Sequence, residues 1–418
     1  MSLQTYLTDS PTFGPLPPID CSHVLTAFYQ AAISTRLPVA LWRYPGQADK
    51  QALVDLSGAA QPTKINFQRR APGFAFAPFI NEDGRSTLFL KAGLRLNQKG
   101  IQVYRDPNNP ADHIWDLHRE SFLNRFQELM AVDRPTWDWS AVPVTDEKHH
   151  IATQAEFCQL VAGAVQYIKS TGIKKVVASR ATEVPLPRSR NPVAIFEKLC
   201  DRYPHAFVSL VSIPDVGTWI GASPEILLTL DGDALKTVAL AGTQIRLADL
   251  PLEDVTWGAK EIEEQALVGD YIRHFFQQLN LANFIERDPR TVSAGNVVHL
   301  KTEFQVNMNQ TGVLKLGNQI LDTLHPTSAV CGMPKKEALS FILEKERYNR
   351  KFYSGFLGPV HLDGQSQLFV NLRCMQLASD RAILYVGAGI THDSVPQSEW
   401  QETVLKSQTL LAVLEEMS

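Results

Sequence analysis

The chain has little that would tie it to a membrane, a thiolate metal centre or nucleic acid. Its 418 residues hold five cysteines, Cys21, Cys158, Cys200, Cys331 and Cys374. They are odd in number and scattered, with no Cys-x-x-Cys spacing, which speaks against a zinc ribbon or a dithiol redox motif. No stretch approaches the roughly 18 apolar residues of a membrane span, and the start, Met1-Ser2-Leu3-Gln4-Thr5-Tyr6, lacks a basic region followed by an apolar run. With 40 Lys and Arg against 44 Asp and Glu the net charge is −4, so there is no electrostatic footprint for a polyanion. Internal repeats and low-complexity tracts are absent too. The expectation is a soluble cytoplasmic protein without nucleic-acid or membrane partners. An anionic small substrate would need a locally basic pocket.

The length allows two or three average domains or one large one. Residues 10–20 are proline-rich and read as irregular, and Ser22 through Ala32 has helical apolar spacing behind a serine cap. Asp106-Pro107-Asn108-Asn109-Pro110 is a turn, and the polar, proline-broken stretch from Trp137 to His150 suggests a boundary near 145. This divides the chain into 1–145, a divergent N-terminal part, and 146–418, where the signals sharpen. Glu156 to Ser170 and Pro192 to Arg202 have helical periodicity, the second behind a proline suited to a first helical turn. Phe207–Val211 and Thr218–Ile220 read as strands, and Ile226–Leu230 with Leu235–Leu240 flank an Asp231-Gly232-Asp233 hairpin turn. Phe356–Leu362, Leu368–Leu377 and Ala382–Val386 read as an antiparallel meander, and Ser398 to Met417 as a helix free of Gly and Pro.

Several polar residues sit where chemistry or ordinary packing would equally place them. Glu399, Glu402 and Lys406 share one face of the last helix, and Glu261 and Glu264 lie three apart on another. Solvated salt-bridge ladders explain both sets, although exposed pairs contribute only about 0–1 kcal/mol. Hard carboxylate oxygens are also what Mg²⁺ takes, usually one or two from protein with water and substrate oxygens. Lys175 opens the apolar run Val176-Val177-Ala178, and Lys174 alternates to the other face of the strand, so only one of the two can point inward. A base role for Lys175 needs burial or cationic neighbours, because a free lysine is almost wholly charged at neutral pH. A strand-edge lysine pair is the other reading. Glu225 closes the Gly221-Ala222-Ser223-Pro224 bend, either as a turn carboxylate or as an acid kept protonated by an apolar pocket. Arg373 interrupts a hydrophobic strand and needs a partner, an internal carboxylate or that of a substrate. His325 and Tyr353 read as ring contacts, or as a capped loop and a core phenol. The glycine-rich Gly387-Ala388-Gly389-Ile390 segment allows close backbone approach to a ligand.

In order and spacing, the segments around Lys175 and Glu225, with Leu240-Ala241-Gly242-Thr243, His325-Pro326-Thr327, Tyr353-Ser354-Gly355, Gly387-Ala388-Gly389-Ile390 and Glu399-Trp400-Gln401-Glu402-Thr403, resemble the chorismate-utilising enzymes. The likeness covers about residues 150–418. It implies an α/β fold of α+β type: one large unit with two packed antiparallel sheets, helices outside, and a cleft beneath. It further implies that Glu264 and Glu402 ligate Mg²⁺, with Glu261 and Glu399 nearby or acting through water, and that the metal grips the ring carboxylate of chorismate. Arg373, Lys406 and amides around Gly242, Thr243 and Gly389 would hold the enolpyruvyl carboxylate, with His325 and Tyr353 lining the ring site. Lysine at the position of Lys175 marks the members that use water as nucleophile, with Glu225 as acid. The implied activity is that of an isochorismate synthase, an isomerase needing no glutaminase subunit. A salicylate synthase, which goes on to eliminate pyruvate, is the alternative, followed by an aminating anthranilate or aminodeoxychorismate synthase. Gln244 in place of a frequent arginine, Gln265 in place of a usual histidine, and a short 244–260 segment depart from the family pattern.

Overall fold

The computed structural model describes residues 21–418 apart from 69–70, 82–83, 106–111, 133–136, 188–189, 248–249, 280, 282, 295–296 and 308–314. The proline-rich 10–20 stretch and the 106–110 turn lie outside the described residues. The described residues form two ten-stranded antiparallel sheets. Their inner faces meet in an aromatic layer in which Trp42, Trp219 and Tyr385 of one sheet pack with Phe74, Phe76 and Phe369 of the other. Phe207 and Phe369 stack across the interface with ring centroids 4.0 Å apart. Helices cover the outer faces, and the Cys21–Ser34, Pro192–Arg202 and Pro396–Glu416 helices share one apolar cluster with the first sheet.

The N-terminal third contributes to both sheets. Val39–Arg43 pairs with Phe207–Ile213 in the first, and Gly73–Ala77 with Phe356–Val360 in the second. Local signals account for the element that carries Lys175. The Gln154–Thr171 helix starts with a Thr153–Glu156 capping box and stops at Gly172, whose φ of 74° turns the chain directly into the Lys175–Pro185 strand.

The expected hairpin forms, with Gly232 at φ 54° between Ile226–Asp231 and Ala234–Ile245. The expected C-terminal meander does not. The run read as one strand from Leu368 to Leu377 breaks into Gln365–Val370, in the second sheet, and Cys374–Leu377, in the first. Between them Arg373 takes φ 49°, a left-handed conformation that ends the first strand and redirects the chain. An apolar run says strand, but nothing in it says which of two sheets each half joins. A similar crossing occurs after Gly217–Ser223, where Pro224 and Glu225 carry the chain from the first sheet to the second. These two crossings open the space in which the polar residues gather.

Candidate active site

A cavity of about 620 Å³ lies beside the crossings, lined among others by Lys175, Glu225, Glu264, Arg373, Glu402 and Lys406. Lys175 is the first residue of its strand and is buried, whereas Lys174 is exposed, as alternation requires. The Lys175 ammonium donates to Glu264 Oε1 at 2.5 Å. The adjacent strand carries a glycine where a side chain would collide with it: a Cβ at Gly389 would lie 2.7 Å from Lys175 Cε. Gly389 is a strand residue paired with Val177 rather than part of a loop, and its lack of a side chain leaves room for the lysine.

Glu225 lies in the same cavity, buried, with Thr327 Oγ1 donating to its Oε1 at 3.4 Å. Burial pushes its carboxyl up to about 7, against the opposing pull of the Lys175 charge, the Thr327 hydroxyl and Lys406. Glu264 moves the other way: the Lys175 ammonium holds it down at about 2 although burial opposes this. Two carboxyls of one cavity are therefore driven apart, one ready to carry a proton and one fixed as an anion.

The two glutamate pairs converge from separate helices. Glu261 and Glu264 come from Ala259–Gln278 and Glu399 and Glu402 from Pro396–Glu416, and all four line the cavity. Lys406, one turn beyond Glu402, donates to Glu402 Oε1 at 2.5 Å and to the Gly387 carbonyl at 3.1 Å. Burial raises the Glu402 carboxyl, but the Lys406 charge and hydrogen bond outweigh it and leave the group below its usual range, with Glu264 opposing. Among the described residues no three His, Cys, Asp or Glu side chains converge as a preformed metal cage. An all-oxygen donor set in which Glu264 and Glu402 each already hold a cation, here an ammonium, fits a hard divalent ion that completes its shell with water and substrate.

Arg373 reaches the cavity from the second crossing and donates through Nη1 to Thr409 at 3.1 Å, and burial lowers its pKa. Among the described residues no carboxylate lies at ion-pair distance from it, although Glu402 is near enough to oppose the effect of burial, and the residue borders both this cavity and the hollow that Thr409 lines. Tyr353 is buried, stacks on Tyr385 with centroids 5.7 Å apart and lines the cavity. Gly242 lines it as well, at φ 68°, and the side chain of Thr243 lies outside those described. His325 is not a cavity residue. Its Nε2 meets the carbonyl of Pro78 at 3.0 Å, its ring abuts Phe356 edge-on, and it borders a separate hollow of about 160 Å³. The hydroxyl of Thr327, two residues on, is what this segment brings to the site.

Sequence reasoning missed two features. His299 lines the cavity, its Nδ1 paired with the Gly242 carbonyl at 3.0 Å, and burial with the nearby Arg373 charge lowers it to about 4. The only signal was a histidine alternating with apolar residues in Val297–Asn307. The other is the buried pair Glu346 and Arg350. Arg350 donates to the carbonyls of Val177 and Val330, and Glu346 accepts from the amide and hydroxyl of Ser179, so the pair braces the Lys175 strand from behind. Gln265, the departure noted next to Glu264, points away from the cavity and ties its helix to Ala239 and Thr302.

Two packed antiparallel sheets carry an acid, a lysine and two carboxylate-bearing helices around one cavity, and residues 101–415 match the family of chorismate binding enzymes. The chain belongs to that family. It is 30% identical over 273 residues to the isochorismate synthase EntC of Escherichia coli strain K12, covering 64% of this chain and 69% of EntC. It is 29% identical over 262 residues to the vibriobactin-specific isochorismate synthase of Vibrio cholerae, covering 62% of this chain and 66% of that one. Anthranilate synthase component 1 of Streptomyces coelicolor is 32% identical over 273 residues, which span 63% of this chain but 52% of that protein. The structure of MenF, the menaquinone-specific isochorismate synthase of Escherichia coli, shares the fold with a TM-score of 0.74 at 22% identity, covering 95% of this chain and 92% of that one.

Proposed function

We propose that the chain is an isochorismate synthase, converting chorismate to isochorismate by adding water at C2 and releasing the C4 hydroxyl. One observation carries the reading: a buried lysine and a carboxyl held near neutral pKa share a cavity with two carboxylates that each hold a cation.

In this mechanism Lys175, neutral in the reacting complex, takes the proton of the attacking water. The ring double bonds shift, and Glu225 gives its proton to the departing C4 hydroxyl. Glu264 and Glu402 would hold Mg²⁺, with Glu261 and Glu399 nearby or acting through water, and the ion would supply positive charge that fixes the ring carboxylate. Arg373, Lys406 and the backbone around Gly242, Thr243 and Gly389 take the enolpyruvyl carboxylate, and Tyr353 packs against the ring. Gly389 leaves the space that the lysine needs. Positioned proton transfer contributes about 10²–10⁴-fold, so orientation and charge must provide the rest. Product isochorismate serves menaquinone or siderophore synthesis, and relatives named for both uses are similar to this chain. We expect action in the cytoplasm on free chorismate, without a glutaminase subunit; no helix among the described residues is long and apolar enough to cross a membrane.

The test is purified protein with chorismate and Mg²⁺, followed by chromatography. Isochorismate is the expected product. Salicylate with pyruvate would favour the eliminating alternative, a requirement for ammonia or glutamine an aminating synthase, and no turnover a binding protein.

A further inference from the structure

Each carboxylate proposed to hold Mg²⁺ already carries a cation that belongs to the protein. Lys175 Nζ lies 2.5 Å from Glu264 Oε1, and Lys406 Nζ lies 2.5 Å from Glu402 Oε1. Neither pair is an exposed surface contact, since the lysine side chains are only 9% and 21% accessible and both line the cavity. An oxygen gripped by an ammonium has fewer lone pairs to offer, and the ammonium charge repels a second cation a few ångströms away. The arrangement also spares the cavity two uncompensated anions.

We infer that Lys175 and Lys406 are exchangeable stand-ins for the divalent ion, so that the metal binds only as they leave their carboxylates, and substrate tightens metal binding by drawing Lys406 away. This rests on the isochorismate synthase reading. Lys406 has the geometry for exchange, with one hydrogen bond to Glu402 and another to the Gly387 carbonyl on the cavity wall. A substrate carboxylate that accepts the Lys406 ammonium replaces Glu402 as its partner and frees that oxygen. Linkage makes the effect reciprocal: Mg²⁺ must tighten chorismate binding by the same factor.

Calorimetric titration of the full chain with Mg²⁺, without substrate, tests the exchange. Lys175→Met and Lys406→Met should each bind Mg²⁺ roughly tenfold or more tightly than the parent. Lys406→Arg retains a cation and should leave the affinity within about twofold. Lys174→Met removes the same charge from an exposed neighbouring position and should also change it by less than about twofold. A repeat titration with chorismate in the slow Glu225→Gln background should show Mg²⁺ binding tightened by substrate, and much less so once Lys406 is Met. Lysine-to-methionine variants that bind Mg²⁺ no better than the parent overturn the inference, as does an equal gain from Lys174→Met. If the parent makes no isochorismate, the functional reading itself fails, and product analysis registers that independently of the titrations.

Discussion

The main-chain carbonyl of Glu225 accepts the amide of Val370 at 3.0 Å, joining the two places where the chain passes from one sheet to the other. A second bond, from the Ala222 amide to the Arg373 carbonyl at 3.0 Å, closes the same junction. The proposed acid and Arg373 are therefore held side by side by backbone rather than by flexible side chains. That rigidity makes single substitutions in the cavity informative, since the surrounding frame has little freedom to compensate.

Replacing Lys175 by Gln should nearly abolish isochorismate formation while the protein still folds and binds chorismate. The base is lost, but Arg373 and Lys406 remain for the carboxylates. Lys174→Gln should cost little, because that side chain is exposed. Steady-state rates with circular dichroism as a folding control decide it, and near-normal turnover by the Lys175 variant would remove its assignment.

Chelation should stop turnover and Mg²⁺ should restore it. Glu264→Gln and Glu402→Gln should each raise the Mg²⁺ concentration for half-maximal rate by on the order of tenfold or more, since each removes a full negative charge from the donor set. Undiminished activity after exhaustive chelation contradicts the site.

Glu225 gives the pH dependence a definite sign. Its folded-state carboxyl titrates near 7, above the usual carboxylate range, because it is buried. The acid is loaded below that pH, so the rate limb that depends on it should fall as pH rises through about 7, and Glu225→Gln should lower turnover by about 10² or more with little change in Mg²⁺ affinity. The stability effect follows from the same shift. The native state binds this proton more tightly than the unfolded chain, so stability declines between the unfolded pKa near 4.5 and the folded value near 7. Above pH 7 the Gln variant, which has no charge to bury, should be more stable than the parent by at most about 3 kcal/mol. Thermal melts at pH 5 and pH 8 would expose a missing or reversed difference.

The family resemblance singled out the site residues; local pattern marked their positions but left each with an ordinary packing explanation as well. Lys175 stands where a glycine-capped helix meets an apolar strand, Glu225 closes a Gly-to-Pro bend, and the glutamates repeat at helical spacing, those of the last helix on a face shared with Lys406. What was not legible depends on distant partners. Periodicity marked Leu368 to Leu377 as extended but carried no sign that Arg373 divides it between two sheets. His325 looked polar and available, yet its partner is a carbonyl 247 positions away, and Glu346 and Arg350 drew no notice because their partners Ser179, Val177 and Val330 lie far off in sequence.

Gly389 offers the sharpest separation of packing from catalysis. It lies in a paired strand, and its backbone φ is not among the positive ones, so alanine suits the conformation. The obstacle is the lysine: an added methyl would sit 2.7 Å from Lys175 Cε and 3.2 Å from its Nζ, while Glu264 Oε1 is 3.8 Å away. The flexible side chain will yield before the ladder does, so Gly389→Ala should fold with nearly the parent's melting temperature but hold its base about an ångström out of place. Misplacement of that size can cost about 10²-fold in rate. The loss should appear in kcat rather than in chorismate affinity, because the carboxylate-binding groups are untouched. Single-turnover rates with equilibrium binding measure both, and a Gly389→Ala protein that turns over normally would show that Lys175 does not need its observed position.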